Sequence, residues 1–256
     1  MKPESEKKSP LISIITITYN AEKELPVTME SVAHQTFKDY EHLIIDGASK
    51  DNTANIAREM SDSQTLIVSE PDKGLYDAMN KGLKNARGKY ILFLNAGDSF
   101  HDESVLEKYG KAASKDSDII YGDTIIVDAD RKFIAPRHLN APEKLTFKSF
   151  SKGMLICHQA FMVKKKLAPQ YNLQYRFSAD YDWTVKCIKA GNQDKFINLD
   201  CVTINYLSNG LTDKNKRASL IERFKIMSSN YGFVLTTFNH LIFILRALKR
   251  TIQSKN

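Results

Sequence analysis

The sequence predicts an α/β protein: a mainly parallel central sheet flanked by helices, with a helical extension at the C-terminus. Two observations carry this. Short β-branched apolar runs recur at LISIITITYN (11–20), HLIID (42–46), TLIVS (65–69) and YILFLN (90–95), the pattern of strands buried on both faces. Stretches with helical spacing of apolar residues alternate with them, as in a parallel sheet with crossover helices. A chain of 256 residues, 42% hydrophobic and 26% charged, is long enough to bury a sizeable core.

Each element has its own signal. After the first strand, Leu25, Met29, Val32 and Ala33 mark a helix around 22–35. Asp51-Asn52-Thr53 reads as a cap opening a helix that ends near Met60. GLYDAMNKGLKNARG (74–88) reads as a helix closed by Gly88, with Leu75, Ala78, Met79 and Leu83 on one face. The strand at 90–95 stops at Ala96-Gly97-Asp98, and a helix near 103–114 and a strand at 118–121 complete the series. Residues 1–10 are expected to be a disordered leader, 11–212 the main domain (halves 11–130 and 131–212), and 213–256 a basic amphipathic extension.

Composition narrows the function classes. The leader MKPESEKKSP has no apolar run, so no secretory signal is expected. No stretch reaches the ~18 consecutive apolar residues of a spanning helix. Cys157, Cys187 and Cys201 form no CxxC pair and no zinc spacing, which suits packing in a reducing, cytoplasmic compartment. The net charge of +7 resides in the tail: residues 214–256 hold nine Lys/Arg against one acid, Glu222. Such a tail meets nucleic acid or an anionic membrane, or is simply a solvated surface.

Ligands of open α/β sheets bind beyond the carboxyl ends of the strands. Three such ends carry polar clusters here: Thr18-Tyr19-Asn20, Asp46-Gly47 and Asn95-Ala96-Gly97-Asp98. Each alone is ordinary turn chemistry; together they read as a site. Neither GxxxxGK[ST] nor GxGxxG is present, which removes the main support for a P-loop enzyme or a dinucleotide dehydrogenase. A nucleotide held without such a loop needs another neutraliser for its diphosphate, usually Mg2+ or Mn2+ on a carboxylate. Asp98 is placed for that role, Asp46 is suited to accept a hydrogen bond from a base, and Tyr19 to stack on one.

With IIDGASKDNT (44–53), EPDKGLYDAMNKGLKNARG (70–88), FLNAGDSF (93–100), CHQAFMV (157–163) and FSADYDWTVKCIKAG (177–191), the chain resembles the inverting glycosyltransferases of family 2, which have the nucleotide-sugar GT-A fold. The likeness covers about residues 10–212, and the EPDKGLYDAMNKG string is characteristic of members that build bacterial surface polysaccharides. The resemblance implies that Thr18, Tyr19, Asn20 and Asp46 face the nucleotide base, uracil in the commonest members. Asp72 and Lys73 would lie near the ribose and diphosphate, with Asn95 beside them. It makes Asp98 the metal ligand, the surviving end of a DxD motif thinned to one carboxylate, and Asp180 the catalytic base. The implied donor is a UDP-sugar, and the implied acceptor a saccharide, most simply lipid-linked.

Inverting transfer is one in-line displacement, needing a carboxylate to take the acceptor proton and positive charge opposite the leaving diphosphate. Asp182 competes with Asp180 as base, since residues i and i+2 of a helix do not share a face. His158 either positions substrate or is a structural histidine, Trp183 forms an acceptor platform or packs in the core, and Asn80 contacts substrate or lies on the surface. FVLTTFNHLIFILRALKR (233–250), ending in Arg246, Lys249 and Arg250, suits an interfacial helix on an anionic inner leaflet, the alternative being a helix packed on the domain or in a dimer. TDKNKRASLIERFKIMSSNYG before it reads as an exposed basic helix. The rival functions are a sugar nucleotidyltransferase, against which stands the glycine-free LISIITITYNAEKEL, and a catalytically weak scaffold or nucleic-acid binder using the tail.

Overall fold

In the computed structural model, which describes residues 9–208 and 216–253, the first apolar run forms β1 (Ile12–Thr18), buried along its whole length. Helix α1 (Leu25–Ala33) leads to β2 (Tyr40–Asp46), α2 (Thr53–Glu59) to β3 (Thr65–Ser69), and α3 (Leu75–Asn85) to β4 (Tyr90–Phe93). These four strands are mutually parallel in the order β3-β2-β1-β4. Register sets the site: Thr18 pairs with Asp46, so both strands end at one level. Beyond β4 the chain stays on β1, Leu94 N–H donating to Ile15 O at 2.9 Å and Ala96 N–H to Ile17 O at 3.2 Å. The Asn95–Asp98 turn therefore opens on the same edge.

The second half departs from a mainly parallel sheet. After β5 (Ser99–Phe100) and α4 (Val105–Ala113) comes β6 (Ile119–Val127), twice the length expected at 118–121. A tight turn at Asp128–Lys132 returns the chain as β7 (Phe133–Pro136), antiparallel to β6. The segment 137–160 then contributes 3-10 turns and no crossover α-helix, so β8 (Phe161–Lys164) enters antiparallel between β4 and β6. Parallel neighbours require crossovers, and these strands have none. Helix α5 (Ala179–Ala190) restores one, placing β9 (Phe196–Leu207) parallel to β6. The result is one nine-stranded mixed sheet.

Gly88 does not close α3. The helix ends at Asn85, and Gly88 lies where an added Cβ would be 2.6 Å from the Ser13 backbone nitrogen. Close packing against β1 is its requirement, not a helix cap. Asn52 stands at the N-cap of α2 without a side-chain cap bond; Asp51 Oδ1 instead accepts from Thr53 N at 3.0 Å.

The C-terminal segment forms α6 (Lys216–Tyr231) and α7 (Phe233–Gln253). Helix α6 is not the free basic helix its composition suggests. Ile226 and Met227 are fully buried in the main core, and the Glu222 carboxylate accepts from the backbone N–H groups of Arg176, Phe177 and Ser178 at 2.8–2.9 Å. A carboxylate there satisfies donors at the start of α5 and complements its dipole. Helix α7 docks one face, Asn239 donating to Ser151 O at 2.8 Å. Its other face exposes Val234, Phe238, Leu241 and Leu245. No described helix is long and apolar enough to cross a membrane. The leader up to residue 8 and the side chains of Arg246, Lys249 and Arg250 lie outside the described residues.

Candidate active site

At the carboxyl edge of β1 and β2, Tyr19 is 57% exposed. A Cβ added at Gly47 would lie 3.3 Å from its ring and collide with an Asp72 carboxylate oxygen, so Tyr19 and Asp72 both pack against Gly47. Asp72 Oδ1 accepts from Gly74 N at 2.7 Å, and Lys73 is exposed beside it. Asp46 is fully buried below, accepting from the Ser49 hydroxyl and, at 2.6 Å, from the Ser69 hydroxyl. The Thr18 hydroxyl is buried without a partner among the described residues. Asn20 braces the loop opposite, its Oδ1 accepting from Lys50 N at 2.8 Å. The exposed Tyr19 ring is free to stack on a planar base, but Asp46 is not free to accept from one: it is fully buried and its two oxygens hold Ser49 and Ser69.

Asp180 lies in the first turn of α5. Its Oδ1 accepts from its neighbour's amide, Tyr181 N, at 2.8 Å and from the Tyr76 hydroxyl at 3.2 Å. Its Oδ2 carries no hydrogen bond among the described residues. Burial, then the nearby Asp180 charge, hold the Tyr76 phenol well above its ordinary pKa, so it remains a donor. Asp182 is removed from the competition: it is buried and paired with Lys186 at 2.7 Å, an i,i+4 bridge along the helix.

His158 is buried between Phe93 and Trp183 at ring separations of 5.0 and 5.3 Å, with Nε2 on the Tyr171 hydroxyl at 2.7 Å and Nδ1 unpartnered. Burial depresses its pKa to about 4, so it is neutral at physiological pH. Two expected substrate contacts are structural. Trp183 is 1% exposed, stacks on Tyr171 at 5.1 Å and donates Nε1 to Pro169 O, which leaves no free face for an acceptor. The Asn80 amide is spent on the Tyr171 backbone, donating at 3.1 Å and accepting at 2.7 Å.

Asp98 is also placed differently from expectation. It is buried, with Oδ1 accepting from Leu207 N at 2.9 Å and Oδ2 from Gln159 Nε2 at 3.0 Å. Burial raises its pKa to about 7 against the lowering effect of those donors. Gly97 brings no side chain, and Asn95 offers one neutral, buried and unpartnered Oδ1. No group of three or more His, Cys, Asp or Glu suited to a metal exists among the described residues. Mg2+ and Mn2+ favour several oxygen ligands with carboxylate charge, and this donor set fits them poorly.

The comparisons with known proteins bear on family and fold. Residues 13–171 match the model of "Glycosyl transferase family 2". The chain belongs to that family. It is 34% identical over 187 residues, 70% of each chain, to a PGL/p-HBAD biosynthesis glycosyltransferase of Mycobacterium bovis. It is 28% identical over 222 residues, 85% of each chain, to the Escherichia coli UDP-Glc:alpha-D-GlcNAc-diphosphoundecaprenol beta-1,3-glucosyltransferase WfgD. The fold is shared with S. aureus TarS in complex with UDP-GlcNAc (TM-score 0.69, 17% identity, 86% of this chain and 66% of that one). It is shared too with a Pyrobaculum calidifontis mannosyltransferase in complex with GDP-Man and Mn2+ (TM-score 0.62, 12% identity, 97% and 81%). The chain is thus a glycosyltransferase with a GT-A-type α/β fold.

The sequence reading missed Tyr76, Gln159 and Arg131 in this glycosyltransferase. Tyr76 sits in the quoted EPDKGLYDAMNKG string, one residue before Asp77, so the motif itself was the available signal. Gln159 follows His158 directly. Arg131 lies in a hairpin turn whose neighbours are set by β6 and β9, and no local pattern marks it.

Proposed function

We propose that this glycosyltransferase moves a sugar from a UDP-sugar to a lipid-linked saccharide with inversion, as a step in polysaccharide biosynthesis. The observations that support it most are the exposed Tyr19 ring at the carboxyl edge of β1 and an Asp180 whose Oδ2 is unengaged among the described residues. Tyr19 stacks on the base, Asp46 fixes the Ser49 and Ser69 hydroxyls at that edge, and Asp72 and Lys73 lie toward the ribose and diphosphate. Asp180 Oδ2 takes the acceptor hydroxyl's proton as that oxygen attacks the anomeric carbon from the face opposite the leaving UDP. His158, neutral and packed on Phe93 of β4, bonds Tyr171, which stacks on Tyr76, the phenol bonded to Asp180. Mg2+ or Mn2+, which the family likeness suggests, is poorly matched by Asn95, Gly97 and Asp98.

WfgD is named for a UDP-Glc donor and a diphosphoundecaprenol acceptor, and TarS binds UDP-GlcNAc; both favour this donor and acceptor class. The exposed apolar stripe of α7 and the basic composition of 214–256 support peripheral contact with an anionic leaflet on the cytoplasmic side, where such an acceptor would lie. The test is UDP release from UDP-glucose and UDP-GlcNAc with a polyprenyl-diphosphate-linked GlcNAc, with the product linkage read by NMR. The reading predicts acceptor-dependent release and a β linkage from an α donor; release only from a GDP-sugar, or a retained α linkage, would overturn it.

A further inference from the structure

We propose that Arg131 supplies the positive charge opposite the donor's diphosphate, the role filled by a divalent cation where two carboxylates flank the turn after β4. The proposal rests on the donor reading above. Its first support is what that turn lacks. Asn95 is neutral, Gly97 has no side chain, and Asp98 spends both oxygens inside the fold. Gly97 is moreover fixed as glycine: its φ is +102°, and a Cβ would meet a Leu207 methyl at 2.9 Å. A side chain there would be strained by that φ and would push the Leu207 methyl aside.

The second support is what the fold brings to the same turn. The Arg131 guanidinium donates Nη1 to the Gly97 carbonyl oxygen and makes no ion pair within 4 Å among the described residues, though its charge reaches the buried Asp98 carboxyl and lowers its pKa against the effect of burial. Its Nε is buried without an acceptor. A guanidinium parked on a neutral carbonyl, with a donor unspent, is poised to take a stronger anionic partner. Its planar fork matches phosphate oxygens in pairs.

The third support is the backbone that aims it. Arg131 has φ +66°, uncommon for a non-glycine residue. The turn is held by Asp128, whose carbonyl accepts from Arg131 N at 3.0 Å and whose Oδ1 accepts from Lys132 N at 2.9 Å. Val127 pairs with Leu207, and Leu207 N–H in turn holds Asp98. The hairpin tip and the Asn95–Asp98 turn are thereby fixed side by side.

The test is calorimetric titration of UDP and of uridine into wild type, Arg131→Gln and Arg131→Lys, each in EDTA and in millimolar Mn2+. Wild type should bind UDP within about two-fold equally in the two buffers, and more tightly than uridine. Arg131→Gln should lose about 10- to 100-fold of UDP affinity, the loss expected for charge-assisted hydrogen bonds, while uridine affinity holds. Arg131→Lys, with the charge but not the fork, should fall between. UDP binding by wild type that requires Mn2+, or Gln and Lys variants that both bind UDP as wild type does, would overturn the role of Arg131 alone. Wild type that binds neither UDP nor uridine in either buffer would overturn the donor reading and this proposal with it.

Discussion

The Tyr76 hydroxyl donates to Asp180 Oδ1 at 3.2 Å, joining residues 104 apart in sequence. The bond links α3 to the helix carrying the proposed base. With the Tyr181 amide on the same oxygen, it turns Oδ2 outward as the basic atom. Tyr76→Phe removes the hydroxyl that holds Asp180 Oδ1. kcat should fall about ten-fold, the scale of one lost hydrogen bond that orients a reacting group, with donor KM little changed. A lower melting temperature with kcat unchanged would make Tyr76 a packing residue only.

Asp180→Asn keeps the shape of the side chain and removes its basicity. Transfer should fall about 1000-fold, within the range for loss of a general base, while UDP still raises the melting temperature as in wild type. Activity equal to wild type would transfer the role elsewhere.

Buried titratable groups give stability a pH dependence with a definite sign. Burial depresses both His42 and His158 to about 4, so the unfolded chain binds more protons than the fold between pH 6.5 and 4, and stability falls as pH falls through that window. Asp98 acts oppositely: its carboxyl, raised by burial to about 7, takes up a proton in the fold before the unfolded chain does. Two histidines against one carboxyl leave a net loss on the order of 1 kcal/mol per pH unit. Urea midpoints at pH 6.5, 5.5 and 5 should decline accordingly. His42→Gln, which can still bond the Thr16 hydroxyl that meets His42 at 2.8 Å, should flatten the decline; a flat wild-type profile would contradict it.

The sheet's first half was legible and its second half was not, for a physical reason. Residues 12–18, 40–46 and 65–69 are apolar runs between turn formers and helices, so local pattern and tertiary pairing coincide. The direction of β8 depends on how 137–160 returns, and an apolar run such as FMVK reads the same in either direction. Site legibility divides likewise. The positions of Tyr19, Asp46 and Asp180 follow from strand and helix ends. The roles of Asp98, Asn80 and Trp183 depend on which groups across the fold reach them: Leu207 and Gln159, the Tyr171 backbone, and Pro169. Basic composition suggested a solvated α6, yet Ile226, Met227 and Glu222 turn it inward.

The outward stripe of α7 makes a separate prediction. Replacing Val234, Phe238, Leu241 and Leu245 with Ser should weaken binding to phosphatidylglycerol vesicles at least about ten-fold, since each buried apolar side chain is worth about 1.5–3 kcal/mol. Those side chains are exposed, so the melting temperature should hold. Unchanged vesicle binding would assign the stripe to something other than lipid.

The most direct test of the central claim is a thermal-shift comparison of UDP, GDP, dTDP and CMP on the wild-type chain. At a hundred-fold excess over Kd a ligand adds about 2.7 kcal/mol, which at this chain length is about 5–10 °C. A shift of that size with UDP and not with the other three would support the Tyr19–Asp46 edge as a uridine diphosphate site. A shift with GDP alone, or with none of the four, would contradict it.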